Sequence, residues 1–169
     1  EEYRTLWGED TLQETLCGLS FTLSVPAFFQ VNLAQTERLY DKAVEFAALT
    51  GSETVLDLYC GIGTISLTMA DRGGGRVLGA EIVPQAIDNA RENARHNGMD
   101  QRTEFFCADA GEAAASLAAR GLHPDVISVD PPRKGLSPPV IDAIVKLAPS
   151  RVVFVSCGAP TLSKDSALL

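Results

Sequence analysis

Cys157 is the first residue of chemical interest, because it follows the apolar run Phe154-Val155-Ser156 and is succeeded by Gly158-Ala159-Pro160. A thiolate is a strong nucleophile suited to covalent catalysis. A lone cysteine after an apolar run is also a common small core residue, so spacing alone leaves both roles open. Cys60 is the rival thiol, but it lies inside Asp57-Leu58-Tyr59-Cys60-Gly61-Ile62-Gly63-Thr64, where packing of the loop accounts for it. Cys17 and Cys107 read as core residues. The four cysteines form no CxxC pair, so their spacing predicts neither a metal site nor a disulfide framework.

The second feature is the pair Gly61-x-Gly63 between a predicted strand and a predicted helix. Glycines at the carboxyl end of a strand let a ligand approach the backbone closely, where open α/β sheets bind their ligands. The third glycine of the dinucleotide fingerprint is missing, which argues against a pyrophosphate. Glu81 closes the next strand at about the separation where an acidic residue meets a ribose. Asp109 and Asp130 end the third and fourth strands. Polar groups thus arrive at one rim from successive strands, a lining suited to an adenosine without phosphates. Each acidic residue also has a simpler role, as a cap for the helix that follows. Asp130-Pro131-Pro132-Arg133 then makes a stiff loop, because the two prolines fix φ and remove two donors.

These groups must be positioned by alternating elements. Apolar runs predict strands at Thr54–Tyr59, Arg76–Ala80, Thr103–Cys107, Asp125–Val129 and Arg151–Val155. Between them helices are expected over Thr64–Ala70, Pro84–His96, Gly111–Ala119 and Pro138–Leu147, with Ser137 as an N-cap and Pro84 and Pro138 in first turns. The alternation defines a doubly wound, Rossmann-like α/β fold with a parallel sheet. Upstream, Leu12–Val25 predicts a β-hairpin turning at Cys17-Gly18. A helix is expected from Leu33 to Leu49, with Leu39, Ala43, Val44, Phe46 and Ala47 near helical spacing and Gly51 as its stop. The division is therefore 1–50, a hairpin and helix, and 51–169, the sheet. His96 and His123 read as structural or solvated.

Composition constrains partners. Of 169 residues, 46% are hydrophobic and 21% charged, ordinary for a globular domain with a core. No apolar stretch approaches the ~18 residues of a membrane span, and no signal-peptide layout opens the chain, so a cytoplasmic protein is expected. The net charge of −8 favours a small-molecule enzyme over one gripping phosphates, unless RNA-gripping segments lie outside this chain.

Taken together, Phe28-Phe29-Gln30-Val31-Asn32, Asp57 to Thr64, Asp130-Pro131-Pro132-Arg133-Lys134-Gly135, and Val155-Ser156-Cys157 with Thr161-Leu162 resemble the RNA (uracil-5-)-methyltransferases. The resemblance runs from about Leu6 to the end. It implies S-adenosylmethionine as cofactor, S-adenosylhomocysteine as product and a uridine of RNA as substrate. By the same resemblance Gln30, Tyr59, Thr64, Glu81, Asp109 and Asp130 join Gly61 and Gly63 in cofactor binding, and Cys157 is the nucleophile that adds to uracil C6. Trp7-Gly8-Glu9-Asp10 and Glu81-Ile82-Val83-Pro84-Gln85-Ala86-Ile87 look like bacterial members acting on 23S ribosomal RNA, favouring rRNA over tRNA.

The chain departs from the family pattern in three ways. Members continue past Thr161-Leu162 through further strands and a proton-abstracting glutamate; this chain ends at Leu169 and is expected to be a truncated, inactive fragment. The family's N-terminal RNA-binding barrel, and the cysteines that hold an iron–sulfur cluster in many members, are expected to precede it. Gly158-Ala159-Pro160 stands where the family has Asn-Pro after its cysteine. Without further strands, Val152, Val153, Phe154 and Val155 are expected on an apolar sheet edge prone to self-association. Two other functions fit the rim: an amino-group N-methyltransferase, which needs no Cys157, and a cofactor-binding module without catalysis.

Overall fold

The computed structural model describes residues 4–169. Seven strands and six helices are present among them, in the order β1 (Thr11–Leu16), β2 (Leu19–Ser24), α1 (Leu33–Ala47), β3 (Thr54–Leu58), α2 (Thr64–Asp71), β4 (Arg76–Glu81), α3 (Pro84–His96), β5 (Thr103–Cys107), α4 (Ala110–Ala119), β6 (Val126–Val129), α5 (Pro138–Leu147), β7 (Arg151–Phe154) and α6 (Ala159–Ser166). β3 to β7 form one parallel sheet in the order β5-β4-β3-β6-β7. The chain steps outward from β3 through β4 to β5, then returns to β6 on the other side of β3. That reversal places the topological switch point between β3 and β6, where such sheets open a crevice at their carboxyl ends.

Both faces of the sheet are covered, as the unbroken apolar runs require. Val55, Val77 and Val153 share one cluster with Ile65, Met69, Ile87 and Ala90 of α2 and α3, Tyr40 and Ala43 of α1, and Phe21 of the hairpin. Leu56, Leu58, Leu78 and Ile127 face the other way, onto Ala114, Leu117, Val140 and Ile144 of α4 and α5. Gly79 is the tightest point of the sheet. A Cβ there would lie 2.6 Å from the Phe105 ring and 3.0 Å from Cys60 Sγ, so the strand needs a residue without a side chain.

The hairpin is attached to the sheet domain by a ladder of asparagines. Asn89 and Asn93 on α3 and Asn97 at its C-cap recur every four residues, and Ser20, Thr22 and Ser24 recur every two on β2. Four helical residues rise about 6 Å and two strand residues about 6.6 Å, so the two series stay in step. The amide oxygens accept from Ser24 N (3.1 Å), Thr22 N (2.7 Å) and Ser20 N (3.0 Å). The amides of Asn93 and Asn97 return bonds to Thr22 O (3.2 Å) and Ser20 O (2.7 Å). Three side chains thereby serve β2 as a neighbouring strand would.

Several expectations need correction. Leu39 and Phe46 of α1 point outward, 41% and 65% exposed, and the buried face is Thr36, Tyr40, Ala43 and Ala47. α1 ends at Ala48 in the left-handed region (φ 47°), before Gly51. Ser137 holds the N-cap position of α5 but makes no side-chain bond there. Cys107 is exposed at the end of β5 and is not a core residue, whereas Cys17, half-buried in the hairpin turn, packs against the first cluster. β7 pairs only with β6 among the described strands. Its apolar residues are nonetheless folded inward: Val153 is buried, as is Val155 just beyond the strand, and Val152 and Phe154 pack against the second cluster. No helix among the described residues is long and apolar enough to cross a membrane.

Candidate functional site

Register brings the polar residues to a common rim. Leu58 pairs with Ala80 and Val129, Glu81 with Cys107, and Val155 N–H donates to Val129 O at 2.9 Å. The next residues on adjacent strands, Glu81, Tyr59, Asp130 and Val155, therefore leave the sheet side by side. Cys157 comes two residues later, exposed, between β7 and α6. From β4 to β7 the rim spans three strand spacings, roughly 14 Å.

The Gly loop is held in a strained shape. Tyr59 (φ 68°), Gly61 (φ 55°) and Gly63 (φ 86°) all lie in the left-handed region. A Cβ on Gly63 would meet Phe105 Cζ at 3.2 Å, whereas Gly61 faces open space. Gly63 therefore answers to packing, and Gly61 leaves the loop open to approach from the rim. Glu81 fixes the loop from beneath: its Oε2 accepts from Gly61 N at 3.2 Å, and Oε1 from Ile82 N (2.8 Å) and Val83 N (3.0 Å). A carboxylate can accept about four hydrogen bonds, so Glu81 keeps acceptor capacity beyond these three.

Beneath the loop lies a buried polar cluster. Asp57 on β3, 1% exposed, accepts from Ser66 Oγ at 2.6 Å, while its Oδ1 has no partner. Burial pushes its carboxyl up to about 7, with Asp130 adding to the rise. Burial likewise raises Asp130 to about 6. The Tyr40 hydroxyl and Thr64 Oγ1 are 2.8 Å apart; burial, then the charges of Asp130 and Asp57, raise the phenol. Burial and the charges of Asp57 and Glu81 also push the Cys60 thiol well up, which keeps it protonated and unreactive.

Of the residues singled out from sequence, Tyr59, Gly61, Glu81 and Asp130 meet at the rim, with Thr64 at the start of α2 beside them. Asp109 is exposed and caps α4, its Oδ1 accepting from Gly111 N at 2.8 Å and Glu112 N at 3.4 Å. It remains close enough to Tyr59 to raise that phenol, after burial. Gln30 is half-buried in the loop after the hairpin, beside Phe29, which packs on the core. Asp57, Tyr40 and Asp165 were missed. Tyr40 falls on the helical period of Thr36, Ala43 and Ala47, which was the only available signal. His96 lies 3.9 Å from Glu92, and His123 Nδ1 3.4 Å from Leu147 O, both away from the rim. A concavity of about 520 Å³ over the free edge of β5, with Arg91, Phe105, Cys107 and Arg120 in its wall, includes none of the rim residues.

The same architecture is found in solved methyltransferases. The chain superposes with a TM-score of 0.82 and 32% identity on the tRNA (uracil-54, C5)-methyltransferase of Pyrococcus abyssi, whose structure is a complex with S-adenosyl-L-homocysteine; 96% of this chain and 38% of that one are covered. An RNA methyltransferase of Salinibacter ruber, also complexed with S-adenosyl-L-homocysteine, matches at a TM-score of 0.53 and 26% identity over 71% of this chain and 74% of that one. The fold is thus that of the S-adenosylmethionine-dependent methyltransferases. In sequence, an RNA methyltransferase of Lactiplantibacillus plantarum is 52% identical over 95% of this chain and 35% of its own length. One of Halalkalibacterium halodurans is 47% identical over 100% and 36%. Residues 9–169 match the model of the tRNA (uracil-5-)-methyltransferase family, and the chain belongs to that family. It spans about a third of the length of the curated relatives it matches.

Proposed function

We propose that the protein transfers a methyl group from S-adenosylmethionine to C5 of a uridine in RNA, with Cys157 as nucleophile. The observation that carries this reading is an exposed Cys157 in the loop that follows β7, the neighbour of the strand that leads to Asp130, across the rim from the Glu81-braced Gly loop. The residues suit the cofactor. Gly61 leaves room for close approach, Glu81 keeps capacity for ribose hydroxyls, and the half-buried Asp130 offers a carboxylate to the cationic end. Gln30, Tyr59, Thr64 and Asp109 complete the proposed binding set. When bound, the cofactor supplies an electrophilic methyl group on a sulfonium sulfur.

Uracil C5 is a weak nucleophile until C6 is attacked. The Cys157 thiolate forms a bond to C6, and the electron pair of the C5–C6 double bond shifts to C5, with charge delocalised onto O4. After methylation at C5, loss of the C5 proton to a base allows elimination of the thiolate and restores the double bond. This is nucleophilic catalysis that divides one difficult step in two. The rigid Pro131-Pro132 segment would present the flat base beside Asp130, where fixed geometry supplies much of the rate.

The resemblance near Trp7 and Glu81 favours 23S ribosomal RNA, while the solved relative acts on a tRNA. The test is transfer of labelled methyl by the full-length protein to rRNA and tRNA transcripts, with nucleoside analysis. 5-Methyluridine that disappears in Cys157→Ala supports the reading. Methylation that survives in Cys157→Ala would instead assign the site to an amino group, which needs no covalent partner. The one-sided pairing of β7 further leads us to expect self-association of this chain, measured by sedimentation at rising concentration; a monomer throughout would contradict it.

A further inference from the structure

α6 begins two residues after Cys157, with Leu162 N donating to Gly158 O at 3.0 Å, so the nucleophile's loop is continuous with a helical turn. That helix has one buried residue, Asp165, 1% exposed. Its Oδ2 accepts from Leu136 N at 2.7 Å, at the end of the loop that begins with Asp130. Thr161, a turn earlier, donates from Oγ1 to Arg133 O at 3.4 Å. Between these two ties sits Gly135, at φ 81°. A Cβ there would stand 2.1 Å from Asp165 Oδ2 and 2.4 Å from Thr161 Cγ2. The side chains of Asp165 and Thr161 thus close directly onto the loop backbone, and only glycine permits it.

Burying an ionisable carboxyl on a two-turn surface helix is costly unless it holds something. Here it holds a backbone N–H that neither α5 nor the sheet satisfies. Asp165 also stands near enough to Tyr59 for its charge to act on that phenol. One side chain therefore connects the Pro-Pro loop to the helix behind Cys157, beside the Gly loop. We propose that Asp165 is a positioning residue for methyl transfer: through Leu136 N–H and the Gly135 contact it fixes the Asp130–Leu136 loop against the Cys157 loop. The proposal rests on the reading of Cys157 as nucleophile.

The test compares Asp165→Ala, Asp165→Asn and Gly135→Ala in the full-length protein, with two readouts. The first is peptide-resolved alkylation of Cys157 by iodoacetamide, which needs neither RNA nor cofactor. The second is single-turnover methyl transfer beside S-adenosylhomocysteine affinity. Asp165→Ala is expected to change the Cys157 alkylation rate and to lower the transfer rate about 10- to 100-fold, the scale of a misplacement near 1 Å. Cofactor affinity should fall by less than the transfer rate, since of the proposed cofactor-binding residues only Asp130 belongs to the loop that Asp165 holds. Asp165→Asn keeps an oxygen for Leu136 N–H and should restore most of the rate; Gly135→Ala, by displacing Asp165, should behave like Asp165→Ala.

Unchanged alkylation and transfer in Asp165→Ala would overturn the proposal. So would a loss of cofactor affinity and melting temperature parallel to the loss of rate, the mark of a merely structural residue. If wild type methylates RNA and Cys157→Ala does so equally, the reading of the nucleophile has failed instead, and the alkylation readout still decides whether Asp165 controls the Cys157 loop.

Discussion

Asp57 on β3 and Ser128 on β6 are register partners on adjacent central strands, and each has a buried oxygen without a hydrogen-bond partner. The pair lies at the topological switch point, directly below the Gly loop. Satisfied buried polar groups are the rule. The Ser128 hydroxyl faces the Asp57 carboxyl and partly offsets the rise in pKa that burial imposes on it.

The titration of Asp57 follows from that burial. Its folded pKa, about 7, lies above the ordinary 3.8, so between these values the folded state keeps a proton that the unfolded state has lost. Stability therefore falls as pH rises from about 4 to 7 and levels off above. Asp57→Asn removes this dependence. Thermal melts at pH 5 and pH 8 should show the variant gaining on wild type at the higher pH; a constant difference would contradict the account.

The asparagine ladder gives a second expectation. Asn93, fully buried, satisfies Thr22 N, Thr22 O and Ile62 O, the last within the Gly loop. Truncation to alanine strands these three groups away from water and should cost at least about 3 kcal/mol, given about 1–3 kcal/mol for each unmet buried group. Asn97→Ala, where water can replace the bonds to Ser20, should cost less than about 1 kcal/mol. Urea titration of both variants is the measurement, and equal losses would show that burial does not set the difference.

Much of the fold was readable in the sequence because it rests on local pattern. α3 and α5 start at Pro84 and Pro138 and end where the apolar period ends, and β5 occupies the run expected for it. What could not be read was mostly tertiary. The polar residues Asp57, Asn93 and Asp165 are buried by partners 9, 71 and 29 residues away, and nothing local distinguishes them from surface residues. α6 was missed because its eight residues carry Pro160, Ser163 and Lys164 with little apolar stripe, although Pro in a first turn was a usable signal. Leu39 and Phe46 misled for the converse reason, as apolar residues on the solvent side of α1.

Gly79 provides a third test. Gly79→Ala forces a Cβ into the Phe105 ring at 2.6 Å and should destabilise the sheet by about 1–3 kcal/mol, as overpacking does. Phe105→Leu in the same chain opens space and should recover part of the loss. Simple additivity of the two changes in a denaturation series would show that the contact is not the cause.

Glu81 is the residue through which the rim would hold both the Gly loop and a cofactor ribose. The measurement is calorimetric titration of the folded chain with S-adenosylhomocysteine, in wild type and in Glu81→Ala. Saturable binding by wild type, weakened at least about tenfold in the variant (about 1.4 kcal/mol), is the expected result. Folded wild type that takes up no ligand, or binding indifferent to Glu81, would contradict the assignment of this rim.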